Sequence, residues 1–379
     1  MNMVMQRRYN DIMNCSNNTS IKRVTFLATK LAGGGAERVV SVLTSALAEL
    51  GYHVDLILYE RRENEYPISN KVKIHLLPKR TQHQGKVSYL VNKFLVLRRM
   101  IKECAPDVLV PFLPYQVEQC YVASRGLKIP MVVTVRNNPQ FDTANENQRK
   151  RRDWIAKHVE GVFLQAESQR DYFEPSVQKK CFVVPNPISQ SILDASYEYR
   201  NNISKLVTMG RLSEQKNHEM LIRAFSKVHE THPDITLDIY GEGPLKEKLQ
   251  DLIAKLNLQS SVYLCGRTNN VAETLCQYDL FVLSSNFEGM PNALMEAMGV
   301  GLPCISTDCP TGPRELLGTE NGLLVDVDDV DGLSRAIEKA VIGVAEMHKR
   351  GEHARIKVRE DFSPEAIATL LIEELENLR

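Results

Sequence analysis

The segment 284–299, Ser-Ser-Asn-Phe-Glu-Gly-Met-Pro-Asn-Ala-Leu-Met-Glu-Ala-Met-Gly, holds the residues best suited to chemistry. An apolar strand ends there, a loop carries Glu288 and Gly289, and Pro291 stands where a helix should begin. Proline suits a first helical position because it has no N–H to leave unpaired. The backbone amides of Gly289, Met290, Asn292 and Ala293 would then offer donors at a helix N-terminus, where the dipole adds positive potential. Such a site suits a diphosphate. Glu296, a turn further in, could accept two hydroxyl hydrogen bonds from a ribose, and Glu288 could reach a sugar hydroxyl. Taken alone, a helix cap with solvated carboxylates has the same pattern.

A second segment, Met209-Gly210-Arg211-Leu212-Ser213-Glu214-Gln215-Lys216-Asn217, also follows an apolar strand. Arg211 and Lys216 could supply fixed positive charge to a departing diphosphate. Two solvated surface charges are the other reading. The third, Gly33-Gly34-Gly35-Ala36-Glu37-Arg38, lets a backbone approach a ligand at a helix N-terminus. It has no G-K-[ST] and misses the G-x-G-x-x-G spacing, so it is neither a Walker loop nor a dinucleotide fingerprint. A tight turn would serve equally well, as it would for Gly241-Glu242-Gly243-Pro244.

These segments need elements to hold them. Val24–Ala28, the glycine turn, a helix over 36–50 and a strand over His53–Tyr59 open a parallel α/β layer. Further strands are expected at 72–76, 108–111, 131–135, 161–165 and 181–184, with helices near 86–104, 115–126 and 145–158. Val184-Pro185-Asn186-Pro187 punctuates the chain. The alternation restarts with strands at 206–210, 235–240, 262–265, 280–283, 303–307 and 322–325. Helices at 218–232, 244–256, 270–277, 291–299 and 330–348 separate or follow them, and a last helix runs from about Pro364 to Leu378. Two such arrays predict two doubly wound domains with ligands at the carboxyl ends of their strands, in the cleft between them. The expected division is a polar extension over 1–20, a first domain over 21–190, a linker over 191–203 and a second domain over 204–361. The helix at 362–379 is expected to pack back on the first.

Composition agrees with a globular enzyme: 379 residues, 43% hydrophobic and 25% charged. No run approaches a membrane-spanning length. The N-terminus lacks the apolar core of a signal peptide. The eight cysteines form no C-x-x-C pair and no zinc spacing, and read as thiols in a reducing cytoplasm. The net charge of zero hides an asymmetry. Residues 1–200 carry 29 Lys+Arg against 19 Asp+Glu, and residues 201–379 carry 18 against 28.

In this order the segments resemble the family 4 glycosyltransferases of GT-B fold. The resemblance rests on GGGAER (Gly33–Arg38), VPNP (Val184–Pro187), GRLSEQKN (Gly210–Asn217), IYGEGP (Ile239–Pro244), YLCGR (Tyr263–Arg267) and FEGMPNALMEAM (Phe287–Met298), and covers about residues 21–360. It implies two facing Rossmann-like domains and retaining transfer from a nucleotide sugar, with no metal and no cofactor. Arg211 and Lys216 would neutralise the diphosphate, Glu296 would hold the ribose, and Glu288 would contact the donor sugar. Gly210 and Gly241 would join the nucleotide site, the backbone at Gly266 and Arg267 would meet the base, and Gly34 and Gly35 would close over the diphosphate. The resemblance departs at Arg136, where many members carry a histidine. Arg136 or Asn137 could bind donor phosphate or acceptor instead. Asp326 and Asp328 form a late D-x-D, read as a loop.

A subset that builds lipid-linked surface polysaccharides is similar here and also in Asp308–Glu315 (DCPTGPRE). It implies a UDP-hexose or UDP-N-acetylhexosamine donor and a polyprenyl-diphosphate-linked acceptor. The basic half fits that expectation. Lys79, Arg80, Lys86, Lys93, Arg98, Arg99 and Lys102 interleave with apolar residues, and Arg149-Lys150-Arg151-Arg152 lies near Trp154. Such a helix can lie on an anionic membrane, here the inner face of the cell membrane from the cytoplasm. No aromatic-interleaved nucleic-acid motif is present. A UDP-N-acetylglucosamine epimerase of the same fold and a non-catalytic sugar-binding module are the competing readings.

Overall fold

A computed structural model describes residues 20–79, 85–143 and 145–378. The chain forms two compact units. One holds the residues up to Pro187 together with those from Pro364, and the other is Ile188–Ser363. The extension before Ser20 and the predicted membrane residue Arg80 lie outside the described residues.

In the first unit the short apolar runs become strands: β1 (Arg23–Ala28), β2 (His53–Leu58), β3 (Lys73–Leu76), β4 (Val108–Pro111), β5 (Val132–Thr134), β6 (Gly161–Leu164) and β7 (Cys181–Val183). Their order is β3-β2-β1-β4 and β5-β6-β7, all parallel, and a parallel bridge from Leu109 to Met131 links the two groups. Parallel strands covered on both faces read as continuous apolar runs. β4 and β6 are fully buried for that reason. The helices are α1 (Gly35–Glu49), α2 (Lys86–Cys104), α3 (Pro114–Ser124), α4 (Glu146–Lys157) and the single turn α5 (Pro175–Gln178).

The second unit begins with α6 (Gln190–Leu193), followed by β8 (Lys205–Met209), α7 (His218–Thr231), β9 (Thr236–Tyr240), α8 (Lys246–Lys255) and β10 (Val262–Gly266). Then come α9 (Val271–Leu275), β11 (Leu280–Leu283), α10 (Asn292–Val300), β12 (Cys304–Thr307), α11 (Pro313–Leu317), β13 (Leu323–Val325), α12 (Val330–Ile342) and α13 (Val344–Asp361). Its parallel sheet runs β10-β9-β8-β11-β12-β13. The order reverses between β8 and β11, and in such sheets ligands bind outside the strand ends at that reversal. Leu206, Phe225, Leu237, Ile239, Val282, Ile305 and Leu333 form its core.

Three expectations change. The predicted linker 191–203 belongs to the second unit, because Ile192, Tyr197 and Ile203 are buried. The helix expected over 330–348 is two helices broken at Gly343, which leaves helical geometry (φ −95°, ψ 43°). A Cβ there would press on the Lys339 carbonyl at 2.9 Å. Pro291 caps α10 from one residue outside, in extended geometry, rather than opening its first turn.

The last helix, α14 (Pro364–Glu376), lies against α1. Its Ile367, Leu371, Ile372 and Leu375 are buried along one side, as the helical period requires. The Glu376 carboxylate accepts from the Ile21 backbone N–H at 2.6 Å and the Ser20 hydroxyl at 2.8 Å. The Leu378 side chain packs over Gly161, where a Cβ would lie 2.6 Å from it.

Much of the basic half is committed inside the first unit. Lys93 is only 8% exposed, and its ammonium lies 4.2, 5.5 and 5.8 Å from the ring centres of Tyr59, Tyr115 and Tyr89. Arg98 donates to the carbonyls of Ala123 and Arg125 at the end of α3. Arg152 is fully buried, bonded to Asp153 and to the Pro139 carbonyl. Lys150 and Arg151 pair with Glu146 and Glu118. The expected membrane role of Lys93, Arg98 and Arg152 is therefore corrected: these cations face protein. α2 leaves outside an apolar stripe, Val87, Leu90, Val91 and Leu95, with Leu95 57% exposed, and also the expected cations Arg99 and Lys102. No helix among the described residues is long and apolar enough to cross a membrane.

Candidate functional site

The turns after β8, β9, β10, β11 and β12 gather at one rim of the second unit, because the strands are parallel and adjacent. Glycines let those turns touch backbone to backbone. The Gly210 amide donates to the Tyr240 carbonyl at 2.9 Å and the Leu212 amide to the Glu242 carbonyl at 3.0 Å. Gly241 has φ +149°, and a Cβ on it would collide with the Gly210 carbonyl. Its own amide donates to the Gly266 carbonyl at 2.7 Å. Gly210, Gly241 and Gly266 are thus neighbours, separated in sequence by whole βα units. Arg267 makes an exposed pair with Glu242 at 2.9 Å.

The chemical centre of the rim is an ion pair. Lys216 Nζ lies 2.5 Å from Glu288 Oε1, and both side chains are largely buried. The Ser285 hydroxyl donates to the same oxygen at 2.6 Å. Gln215 Nε2 bonds the Phe287 carbonyl at 3.0 Å and reaches Glu288 Oε2 at 3.4 Å. Thr311 Oγ1 donates to the Glu288 carbonyl. Gly210 packs on the Lys216 stem, where a Cβ would lie 3.0 Å from Cε. Arg211, on the same turn, is exposed. Lys216 and Glu288 are held in a frame of hydrogen bonds fixed on two strand ends, with exposed Arg211 on the same turn as Lys216.

Asn217 locks the two turns together. It adopts the left-handed geometry that asparagine tolerates (φ 43°), and its Oδ1 accepts from the Met220 amide at the start of α7. Its Nδ2 donates to Asn286 and Asp328, each at 2.8 Å. Asp328 therefore sits in a loop, bonded to the rim. His218, the next residue, is buried. Burial, with Lys216 adding to it, holds its imidazole down to about 3, and Nδ1 has no hydrogen-bond partner.

Gly289, Met290, Pro291, Asn292 and Ala293 form the run into α10, with Gly289, Met290 and Pro291 buried and Asn292 and Ala293 half-buried. Gly312 (φ +92°) packs directly on Gly289 and Pro291. Glu296 lies within α10 and is 5% exposed. Beside the pair, burial and the Glu288 carboxylate push the Cys309 thiol up to about 12. Gln215, Ser285, Thr311 and Gly312 are site-building residues that the sequence reading quoted within motifs without giving them roles. Small polar and glycine residues clustered after successive strands were the available signal.

Four predicted residues belong to the other unit. Gly34 caps α1 in extended geometry, and the Glu37 carboxylate folds back over it, so a Cβ on Gly34 would strike that carboxylate. Burial raises the Glu37 carboxyl, opposed by its own backbone N–H and by Lys30. Gly35 starts the helix. Arg136 turns inward. Its guanidinium lies over Phe112 at 4.3 Å and Phe163 at 5.0 Å, bonds the Asn186 side chain, and keeps Nε and Nη1 buried without partners. Burial holds it down to about 9, opposed by Asp142. Asn137 Oδ1 accepts from the Asn138 amide at 2.8 Å, which shapes a turn.

Comparison with known proteins identifies the family and the fold. Residues 33–191 match the family described as Glycosyltransferase Family 4, and residues 192–357 that described as Glycosyl transferases group 1. A glycosyltransferase of Methanocaldococcus jannaschii is 37% identical over 63% of this chain and 64% of its own length. The N-acetylgalactosamine-N,N'-diacetylbacillosaminyl-diphospho-undecaprenol 4-alpha-N-acetylgalactosaminyltransferase of Campylobacter jejuni is 30% identical over 81% of this chain and 87% of its own. Among solved structures, Anabaena HepE in complex with UDP and glucose superimposes with a TM-score of 0.78 at 16% identity, over 94% of this chain and 99% of that one. These matches favour group transfer over the epimerase reading. The chain belongs to the family 4 glycosyltransferases and has their GT-B fold.

Proposed function

We propose that this chain moves a hexose or N-acetylhexosamine from a UDP-sugar to a polyprenyl-diphosphate-linked saccharide, with retention at the sugar C1, in surface polysaccharide synthesis. The observation that carries this reading is the Lys216–Glu288 pair at the strand-order reversal, 2.5 Å across and framed by Ser285 and Gln215. A departing diphosphate needs positive charge already in place, since reorganising it during reaction would cost barrier height. Lys216 is held for that purpose, and exposed Arg211 completes the charge. The C1–O bond to the diphosphate breaks, the acceptor hydroxyl oxygen bonds C1 on the same face and passes its proton to the departing diphosphate oxygen, and the remaining charge of the UDP rests on these two cations. In this reading no metal takes that load. The start of α10 receives the diphosphate and Glu296 the ribose hydroxyls. Arg136 serves as a positioning residue that shapes the Asn186 turn.

The acceptor class draws support from the Campylobacter jejuni relative, whose name gives a diphospho-undecaprenol-linked substrate. Peripheral attachment at the cytoplasmic face draws support from the exposed stripe of α2. A donor screen by UDP release, run with purified lipid-linked acceptors, tests the reading. Acceptor-dependent UDP release is expected, with UDP raising Tm more than GDP or ADP. Conversion of a UDP-sugar to an epimer without acceptor would overturn it.

A further inference from the structure

Thr25, Asp55 and His75 lie on the adjacent strands β1, β2 and β3. Thr25 pairs in register with Asp55, and Asp55 with Lys73, two residues before His75. Side chains two residues apart share a face of a sheet, so all three emerge on the same side. Cys104, the last residue of α2, meets them there. The carboxylate, imidazole and thiol ligand atoms all lie within 4.8 Å of one another. Asp55 Oδ1 is 2.6 Å from His75 Nε2, and Cys104 Sγ is 3.6 Å from that same nitrogen.

That shared nitrogen matters. A nucleophilic relay uses the two ring nitrogens separately, one for the thiol and one for the carboxylate. Here both groups converge on one atom, and a neutral imidazole has one proton there to offer. Asp55 is 8% exposed and Cys104 5%. Thr25 Oγ1, fully buried, lies beside the thiol. The cluster gathers a carboxylate, an imidazole and a thiol, three metal-ligand types, at one largely buried point.

We infer that Asp55, His75 and Cys104 form a binding site for a divalent transition-metal ion of zinc type, separate from the sugar-transfer rim. A tetrahedral ion with bonds of about 2.3 Å to sulfur and about 2.05 Å to nitrogen sets those ligand atoms about 3.55 Å apart. The observed sulfur–nitrogen distance is 3.6 Å. The carboxylate would open from 2.6 Å to about 3.3 Å from the nitrogen, leaving a fourth position beside Thr25. Thiolate, imidazole and carboxylate suit zinc among the common divalent ions. The thiol proton leaves to solvent on binding, and the two anionic ligands balance the ion's charge, so no net charge is buried. The ion would tie β2 and β3 to the end of α2. Spacings of 20 and 29 residues keep such a site from showing as a sequence motif.

The test uses the full chain, stripped with chelator and titrated with Zn²⁺ alone and with Co²⁺ alone. One equivalent of Zn²⁺ should bind and raise Tm. Co²⁺ should give the intense visible bands of a tetrahedral site and a thiolate charge-transfer band. Cys104→Ser, checked for folding by circular dichroism, should lose that band and weaken Zn²⁺ binding about 100-fold or more, beyond the loss typical of a supporting residue. Asp55→Asn should weaken it as well. X-ray absorption on the unmutated zinc-loaded protein should show one sulfur neighbour, and needs no variant to fold. Absence of a sulfur shell, or unchanged binding in a folded Cys104→Ser protein, would overturn the proposal.

Discussion

Removing the Lys216 ammonium does two things at once. It withdraws charge from the proposed leaving group, and it strands a carboxylate that is largely buried. Lys216→Ala should therefore lower kcat for UDP release by about 10²–10³ and lower stability by up to about 3 kcal/mol. Arg211→Ala, at an exposed position, should lose turnover with little change in Tm; normal turnover in the double variant would refute the leaving-group role. Two glycines separate the same effects. Gly210→Ala presses on the Lys216 stem, which can yield, so activity should fall with stability nearly kept. Gly241→Ala meets the Gly210 carbonyl at positive φ, and should cost about 2 kcal/mol or more by thermal unfolding. His218 sets a pH dependence. Folded, its imidazole resists protonation to about 3; unfolded, it takes a proton near pH 6.5. The unfolded chain thus binds more protons across that window, and stability falls as pH drops through it, by at most about 1.4 kcal/mol per unit. His218→Gln should flatten the acid limb of the Tm–pH curve, and an unchanged limb would remove His218 as its source. None of these couplings was legible in sequence, because Lys216 and Glu288 are 72 residues apart. The Arg/Lys and E-x₇-E positions themselves were legible, since glycine, proline and charge at strand ends leave a local pattern.

Helix α2 shows where element-level reading succeeds and fails. Its bounds, 86–104, follow from spacing and match the structure. The side Lys93 faces does not follow, because Tyr59 and Tyr115 come from other segments that only the fold brings to it, beside Tyr89 one turn earlier on the same helix. Burial lowers the Lys93 ammonium pKa, and cation–π contact offsets part of that cost. Lys93→Glu should destabilise the first unit rather than report on membranes. The informative variant is Val91→Asp with Leu95→Asp, both at exposed positions. It should keep Tm and lose flotation with anionic liposomes; unchanged flotation would sink the membrane-face idea. The break at Gly343 was hidden for a similar reason. Apolar residues at 341, 344 and 347 continue the helical period across it, so the pattern carried no sign of the turn.

At the scale of the whole molecule, the first unit is discontinuous. Its α14 enters after the entire second unit, covers α1, and holds the start of β1 through Glu376. Deleting residues 364–379 should expose the side of α1 that α14 packs against and lower the thermal transition of the first unit, leaving that of the second in place. Equal loss in both transitions, read by calorimetry, would contradict the division. The two α/β arrays were readable from restarting strand runs, whereas the boundary at Pro187 was not, since the polar stretch to Ser204 conceals Ile192 and Tyr197 as core. The late position of α14 also fixes an order of events during translation. The ribosome finishes every strand of the first unit long before it makes the helix that covers α1, while the second unit is complete before α14 emerges. Until then the nascent first unit presents the apolar side of α1 uncovered, and a stalled ribosome anywhere in the second half leaves that surface open.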